Sequence, residues 1–175
     1  KQVEVKALAQ AALSMFQKAV DLTPNLPDEL KSMAARTTNP SHLADFIASS
    51  LPSLVSAQRQ ELLEVLSVHE RLERVNRLLA KDLEVLEVGA EHDRDELLRT
   101  LIDSQYVRND TVLARGRFRV RGDIVEVQPA NAETAYRISM FGDEVEQISH
   151  FDPLTGEVLS KLDNLAIWPA TEYVT

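Results

Sequence analysis

The feature that most constrains this chain is a change in the period of its apolar residues, from helical spacing of three and four before Gly89 to strand-like alternation from Arg117 onward. One kind of element cannot satisfy both periods, because residues that line one face of a helix scatter over both faces of a strand. A chain of 175 residues is long enough to give each regime its own small domain. The expected class is therefore α+β, with an N-terminal all-helical bundle over residues 1–89 and a small antiparallel-sheet domain, opened by a lead-in helix, over residues 90–175.

In the first half, Leu8, Ala11, Ala12, Met15, Phe16, Ala19 and Val20 form one helical stripe, which Pro24 and Pro27 bring to an end. Asp28 and Glu29 then place negative charge at the start of a short helix carrying Leu30 and Met33. Asn39-Pro40-Ser41 marks the start of a third helix with Leu43, Phe46 and Ile47, which stops near Leu51-Pro52, and a fourth carries Leu62, Leu63 and Leu66. Ser67 and Glu70 form a capping box. From it a long helix is predicted to run to about Val88. Its stripe of Val68, Leu72, Val75, Leu79, Leu83 and Leu86 wants a helical partner, and Glu70/Arg74 and Glu73/Arg77 are favourable i, i+4 pairs.

Beyond Gly89, Asp93 and Glu96 offer a second capping box for a helix bearing Leu97, Leu98, Leu101 and Ile102. Phe118 and Val120 then alternate with Arg117, Arg119 and Arg121, so the arginines line one face of a strand and the apolar residues the other. Gly122-Asp123 turns this strand into Ile124–Val127, and Gly142-Asp143 joins Tyr136–Phe141 to Glu144–Phe151 in a second hairpin. Asp152-Pro153-Leu154-Thr155-Gly156 is a further turn. Val158-Leu159, Leu165–Trp168 and Tyr173-Val174 supply short closing segments. No Gly/Ser linker separates the halves, so a short, stiff junction is expected.

Several function classes find no support. Cys is absent, which removes disulfides, thiolate nucleophiles and cysteine metal sites from this chain, and Lys1 in first place fits a partial chain. His42, His69, His92 and His150 are scattered without metal-ligand spacing, and the carboxylates at 91–96 and 143–146 sit where helix starts and turns put them. No Gly-rich loop with a following Lys is present to cradle phosphate. Neither an enzyme nor a bound cofactor or metal is expected. Apolar runs fall short of the roughly 20 residues needed to span a bilayer and no signal-peptide pattern opens the chain, so a cytoplasmic location without membrane contact is the expectation. Arg121-Gly122-Asp123 matches an adhesion tripeptide but is more simply a hairpin turn.

Charge singles out one feature. The net charge is −9, divided as −2 over residues 1–89 and −7 over residues 90–175, which makes direct binding to nucleic acid an unfavoured reading. Yet Arg108, Arg115, Arg117, Arg119 and Arg121 cluster in the more acidic half, which uses eight Arg and one Lys. One reading is a solvated strand face whose charges pair with Asp and Glu of neighbouring strands. The other is an anchor surface for carboxylates or phosphates, a task for which the arginine fork suits better than lysine. An acidic protein partner and a nucleic-acid backbone would both fit the second.

From Asp93 to Thr175 the sequence resembles the second domain of the UvrB family. The residues that carry the resemblance are Asp93–Leu98, Tyr106, Arg108-Asn109-Asp110, Arg115-Gly116, Phe118–Asp123, Phe141–Glu144, Asp152–Val158 and Pro169-Ala170, all in family order. The resemblance implies an α+β module that binds UvrA in nucleotide excision repair, as does the related module of the transcription-repair coupling factor Mfd. It carries the family's contact arginines onto Arg108, Arg119, Arg121 and Arg137. After the last of these the family usually reads valine, glutamate and two phenylalanines, whereas this chain has Ile138, Ser139, Met140 and Phe141, so one polar contact is missing at Ser139.

Residues 3 to about 88 resemble the helical part of the N-terminal substrate-recognition region of Lon protease, on Val3–Leu8, Leu26–Glu29, Asn39–Asp45, Ile47–Ser49, Leu51-Pro52, Gln60–Glu64, Glu70–Glu73 and Leu83–Glu87. This half implies a scaffold for Lon-type protein substrates or partners. The whole resembles a chimera of two families joined near Val88-Gly89-Ala90, a non-catalytic docking protein. A structural or oligomerisation scaffold and a binder of nucleic-acid backbone are the alternative readings.

Overall fold

A computed structural model describes residues 2–24, 26–50, 67–130 and 132–170, and divides the chain into two compact units, Lys1–Leu83 and Glu84–Thr175. The first is helical and the second is built on sheet, so the class is α+β. The fourth helix expected around Leu62, Leu63 and Leu66, the stop at Leu51-Pro52 and the closing segment Tyr173-Val174 lie outside the described residues.

The helical unit contains α1 (Gln2–Asp21), α2 (Glu29–Arg36), α3 (Pro40–Ser50) and α4 (Val68–Arg77). Ala9, Ala12, Phe16, Ala19 and Val20 form the buried face of α1. Ala11, expected on that stripe, is exposed, and Ala9 takes a buried place instead. The alanines let neighbouring helices approach closely, and Phe16 meets Phe46 of α3 edge to face at 6.1 Å. The start signals work through local hydrogen bonds. Asn39 Oδ1 accepts from the backbone N–H of Ser41 (2.9 Å) and His42 (3.2 Å), capping α3 just before Pro40. Ser67 Oγ accepts from the N–H of Glu70 at 3.2 Å and caps α4. Leu72 and Val75 of α4 are buried against α1, which is the helical partner their stripe required. Arg71 is drawn into the same packing, where it pairs with Asp45 and donates to Ser41 Oγ at 2.9 Å.

The long helix predicted to reach Val88 is corrected by the structure. Regular α-helix ends at Arg77, a π-helical turn covers Leu78–Asp82, and Glu84–Glu87 is strand β1. Leu86 keeps its burial but finds it in the sheet unit, opposite Leu165 of β8 (Asn164–Ile167) in a two-stranded antiparallel ribbon. Glu-Val-Leu-Glu has no alternation of its own, and pairing with a distant strand overrides the helical spacing.

The chain then runs alongside the start of β6 (Glu144–Phe151): the Gly89 N–H donates to Val145 O at 2.8 Å and the Val145 N–H to Ala90 O at 3.0 Å. Asp93 caps α5 (Arg94–Asp103), accepting from the N–H of Asp95 (2.8 Å) and Glu96 (3.3 Å), and Leu97 and Leu101 of α5 are buried. Six strands form the main sheet in the order β2 (Val107–Arg108), β3 (Arg117–Arg121), β4 (Ile124–Gln128), β5 (Ala135–Phe141), β6 and β7 (Val158–Leu162). Every neighbour is antiparallel except β2, which pairs parallel to β3. The hairpins at Gly122-Asp123 and Gly142-Asp143 stand where expected, and each glycine adopts φ near +61°, which the tight turn requires. Phe118, Val120, Val125, Val127, Tyr136, Ile138, Val145 and Ile148 make one core with Leu86, Leu97, Leu101 and Leu165. Tyr106 closes it, donating its buried hydroxyl to Trp168 O at 2.7 Å.

Candidate functional site

Strand register explains the arginine-bearing face. Because Phe118 and Val120 point into the core, Arg117, Arg119 and Arg121 point to the opposite face. The two-residue turn sets Arg119 opposite Glu126, and β5 sets Arg137 opposite the other side of Glu126. A register shift at Ser139/Met140 brings Ser149, rather than an apolar neighbour, beside Arg137. Arg119, Glu126, Arg137, Ser149 and Lys161 therefore form one row across five strands.

Inside that row lies a charge-assisted triad. Arg119 donates Nε–H to Glu126 Oε1 at 2.5 Å, and Arg137 donates Nε–H to Glu126 Oε2 at 2.7 Å. The Glu126 side chain is only 6% exposed, against 16% for Arg119 and 28% for Arg137, so the acid is the buried member and the arginines reach outward past it. Burial pushes the Glu126 carboxyl up, but the hydrogen bonds and charges of Arg119 and Arg137 outweigh that and hold it below the usual carboxylate range. Arg137 also lies over the ring of Phe151, 4.3 Å from its centroid, in a cation–π contact that fixes its course.

Arg108 is placed differently. It donates from Nε (3.1 Å) and Nη2 (3.1 Å) to the Asp110 carboxylate, whose Oδ1 also accepts the Val120 N–H at 3.0 Å, so Asp110 tethers Arg108 to β3. Hydrogen bonding to Arg108, then to the Val120 N–H, together with the nearby charge of Arg121, holds Asp110 below its ordinary value. Arg121 itself is exposed and makes no ion pair among the described residues. Ser139 is half-buried, on the same face as Arg137 two residues along, and stands in the row of Arg121, with Ile124 between them.

The cross-strand pairing reading of the stripe is met in part. Arg119 and Arg137 share Glu126, as cross-strand neutralisation anticipates, whereas Arg115 pairs with Glu133 at 3.3 Å off the strands, in exposed turns. Arg121 and much of Arg108 remain open to solvent. Glu126 was not singled out in the sequence, and Asp110 only as part of the Arg108-Asn109-Asp110 motif. Glu126 was accessible to reasoning, because a two-residue turn after Arg121 dictates that Arg119 faces it.

The histidines stand apart from this face or serve locally. His92 Nε2 lies 2.7 Å from Glu84 Oε1, and His150 stacks on Tyr136 with Nε2 2.7 Å from Thr134 Oγ1. Among the described residues no three His, Asp or Glu gather in a way that could hold a metal ion, and no helix is long and apolar enough to cross a membrane.

Comparison with known proteins follows the same division. Residues 1–81 match the family model of the ATP-dependent protease La (LON) substrate-binding domain. The UvrABC system protein B of Streptomyces coelicolor is 56% identical over 89 residues, 51% of this chain and 12% of that protein. The corresponding protein of Natranaerobius thermophilus is 55% identical over 91 residues, 51% of this chain and 14% of that protein, and that of Mycobacterium tuberculosis is 56% identical over 89 residues, 51% and 12%. The chain therefore spans 12–14% of the length of these relatives. The family model of the UvrB interaction domain covers residues 85–173, from β1 through the whole arginine-bearing sheet, and the chain belongs to that family.

Proposed function

We propose that this chain is a non-catalytic docking protein of nucleotide excision repair, whose sheet unit binds UvrA through Arg108, Arg119, Arg121 and Arg137. The observation that carries this reading is the common face of Arg119, Arg121 and Arg137, with Arg108 tethered to the same strand by Asp110. Guanidinium groups arranged in this way suit carboxylates of a protein partner, to which they can donate in pairs. A nucleic-acid backbone is the weaker partner, since the half that carries the stripe has a net charge of −7 and Glu126 and Asp110 already oppose the arginines. The helical unit, similar to the LON substrate-binding domain, supplies a second contact surface for protein substrates or partners. Such a protein works in the cytoplasm.

A pull-down of the intact chain with UvrA tests the reading. Wild type is retained, and Arg119→Ala/Arg121→Ala loses at least about tenfold in affinity, the scale expected for two charged anchors. Retention of the double variant at wild-type strength sinks the assignment of these residues.

A further inference from the structure

We infer that Glu126 is a positioning residue of the docking surface, holding Arg119 and Arg137 in the orientation in which they meet a partner. The inference rests on the reading of that face as the UvrA-binding surface. Each arginine gives Glu126 its Nε–H, one to each carboxylate oxygen, and among the described residues neither forms a hydrogen bond through its Nη groups. An arginine has five N–H donors, so each keeps four for a partner while its stem is fixed from below. Placement in the middle of β4, between β3 and β5, lets one buried carboxylate serve both. Phe151 under Arg137 fixes the second guanidinium further. Side chains held in this manner lose less rotamer freedom on docking than free arginines would.

The competing role for Glu126 is plain neutralisation, and the two roles differ in sign. Glu126→Gln removes one negative charge from a face that meets acidic groups. Were neutralisation its whole role, the variant would bind the partner as tightly or more tightly, through faster association. Positioning predicts the reverse, because a glutamine carbonyl can accept from one Nε–H only and its amide group faces the other.

The test uses the intact chain against immobilised UvrA, with association and dissociation followed by interferometry and the melting temperature measured in parallel. The expected result for Glu126→Gln is about tenfold weaker binding, carried by faster dissociation. Adding Arg119→Ala to it should weaken binding by less than Arg119→Ala does alone in the wild-type background. Equal or tighter binding by Glu126→Gln at an unchanged melting temperature overturns the inference. Should that variant fail to fold, Arg119→Lys/Arg137→Lys decides, because it keeps both charges and their attraction to Glu126 but leaves no fork to aim. It is expected to bind about tenfold more weakly, and wild-type affinity overturns the inference. Absence of binding by the wild-type chain defeats the docking reading itself, whereas tight wild-type binding indifferent to these variants defeats only the positioning role.

Discussion

Replacing Leu86 by alanine will loosen the sheet unit and leave the helical unit intact. Leu86 is 1% exposed and packs in the core formed by Leu97, Leu101, Phe118 and Leu165, directly across the β1–β8 ribbon from Leu165. Truncating a fully buried leucine to alanine costs about 2–5 kcal/mol, the transfer of the lost carbons plus the cavity they leave. Taking about 3 kcal/mol, and a urea dependence of about 1–1.5 kcal/mol/M for a small unit, the midpoint should fall by roughly 2–3 M. Two signals separate the units. Trp168 is the only tryptophan, 5% exposed, and belongs to the sheet unit, whereas ellipticity at 222 nm is dominated by α1–α4. The fluorescence transition should move by that amount while the ellipticity transition stays in place. A shift in the ellipticity transition alone would refute the reasoning, since it would mean that Glu84–Glu87 continues the helix of α4.

Further outcomes follow from the same contacts. Burial lowers the pKa of His92, but Glu84 at 2.7 Å and the Asp93 carbonyl raise it further, so the folded value lies above the ordinary 6.5, in surroundings made acidic by Glu91, Asp93, Glu96 and Asp143. The stability this gives is fully present below about pH 6.5 and is lost as pH rises through the raised value, so urea midpoints of wild type and His92→Gln should converge between pH 6 and 8; a constant gap would contradict it. Asp45→Ala leaves the buried Arg71 guanidinium with Ser41, and because Asp45 is 40% exposed the cost should be moderate, about 1–2 kcal/mol, read at 222 nm with Trp168 unmoved. Asp93→Ala removes the cap of α5 and should cost about 1 kcal/mol in the Trp168 transition.

The sequence was most legible where the signal is local. Ser67, Asn39 and Asp93 announced helix starts because a cap acts over three residues, and Gly122-Asp123 and Gly142-Asp143 announced hairpins because a two-residue turn demands those conformations. Phe118 and Val120 declared the core face by alternation alone. What escaped depends on partners far along the chain. Leu83 and Leu86 continue a helical spacing perfectly well, and only β8 makes Glu84–Glu87 a strand. Likewise the bulge at Ser139/Met140, which sets Arg137 beside Ser149, has no marker in the residues around it. Of the arginine-bearing face, the arginines were visible as a stripe, while the shared carboxylate beneath Arg119 and Arg137 appeared only when strand register was laid out.

The measurement that bears most directly on this account is the dissociation constant of the intact chain for UvrA, taken for wild type and for alanine variants at Arg108, Arg119, Arg121 and Arg137 at one fixed ionic strength. Saturable binding is predicted, with each arginine variant about 5- to 100-fold weaker and Lys18→Ala, on the exposed face of α1, unchanged. No saturable binding, or binding indifferent to all four arginines, would contradict it.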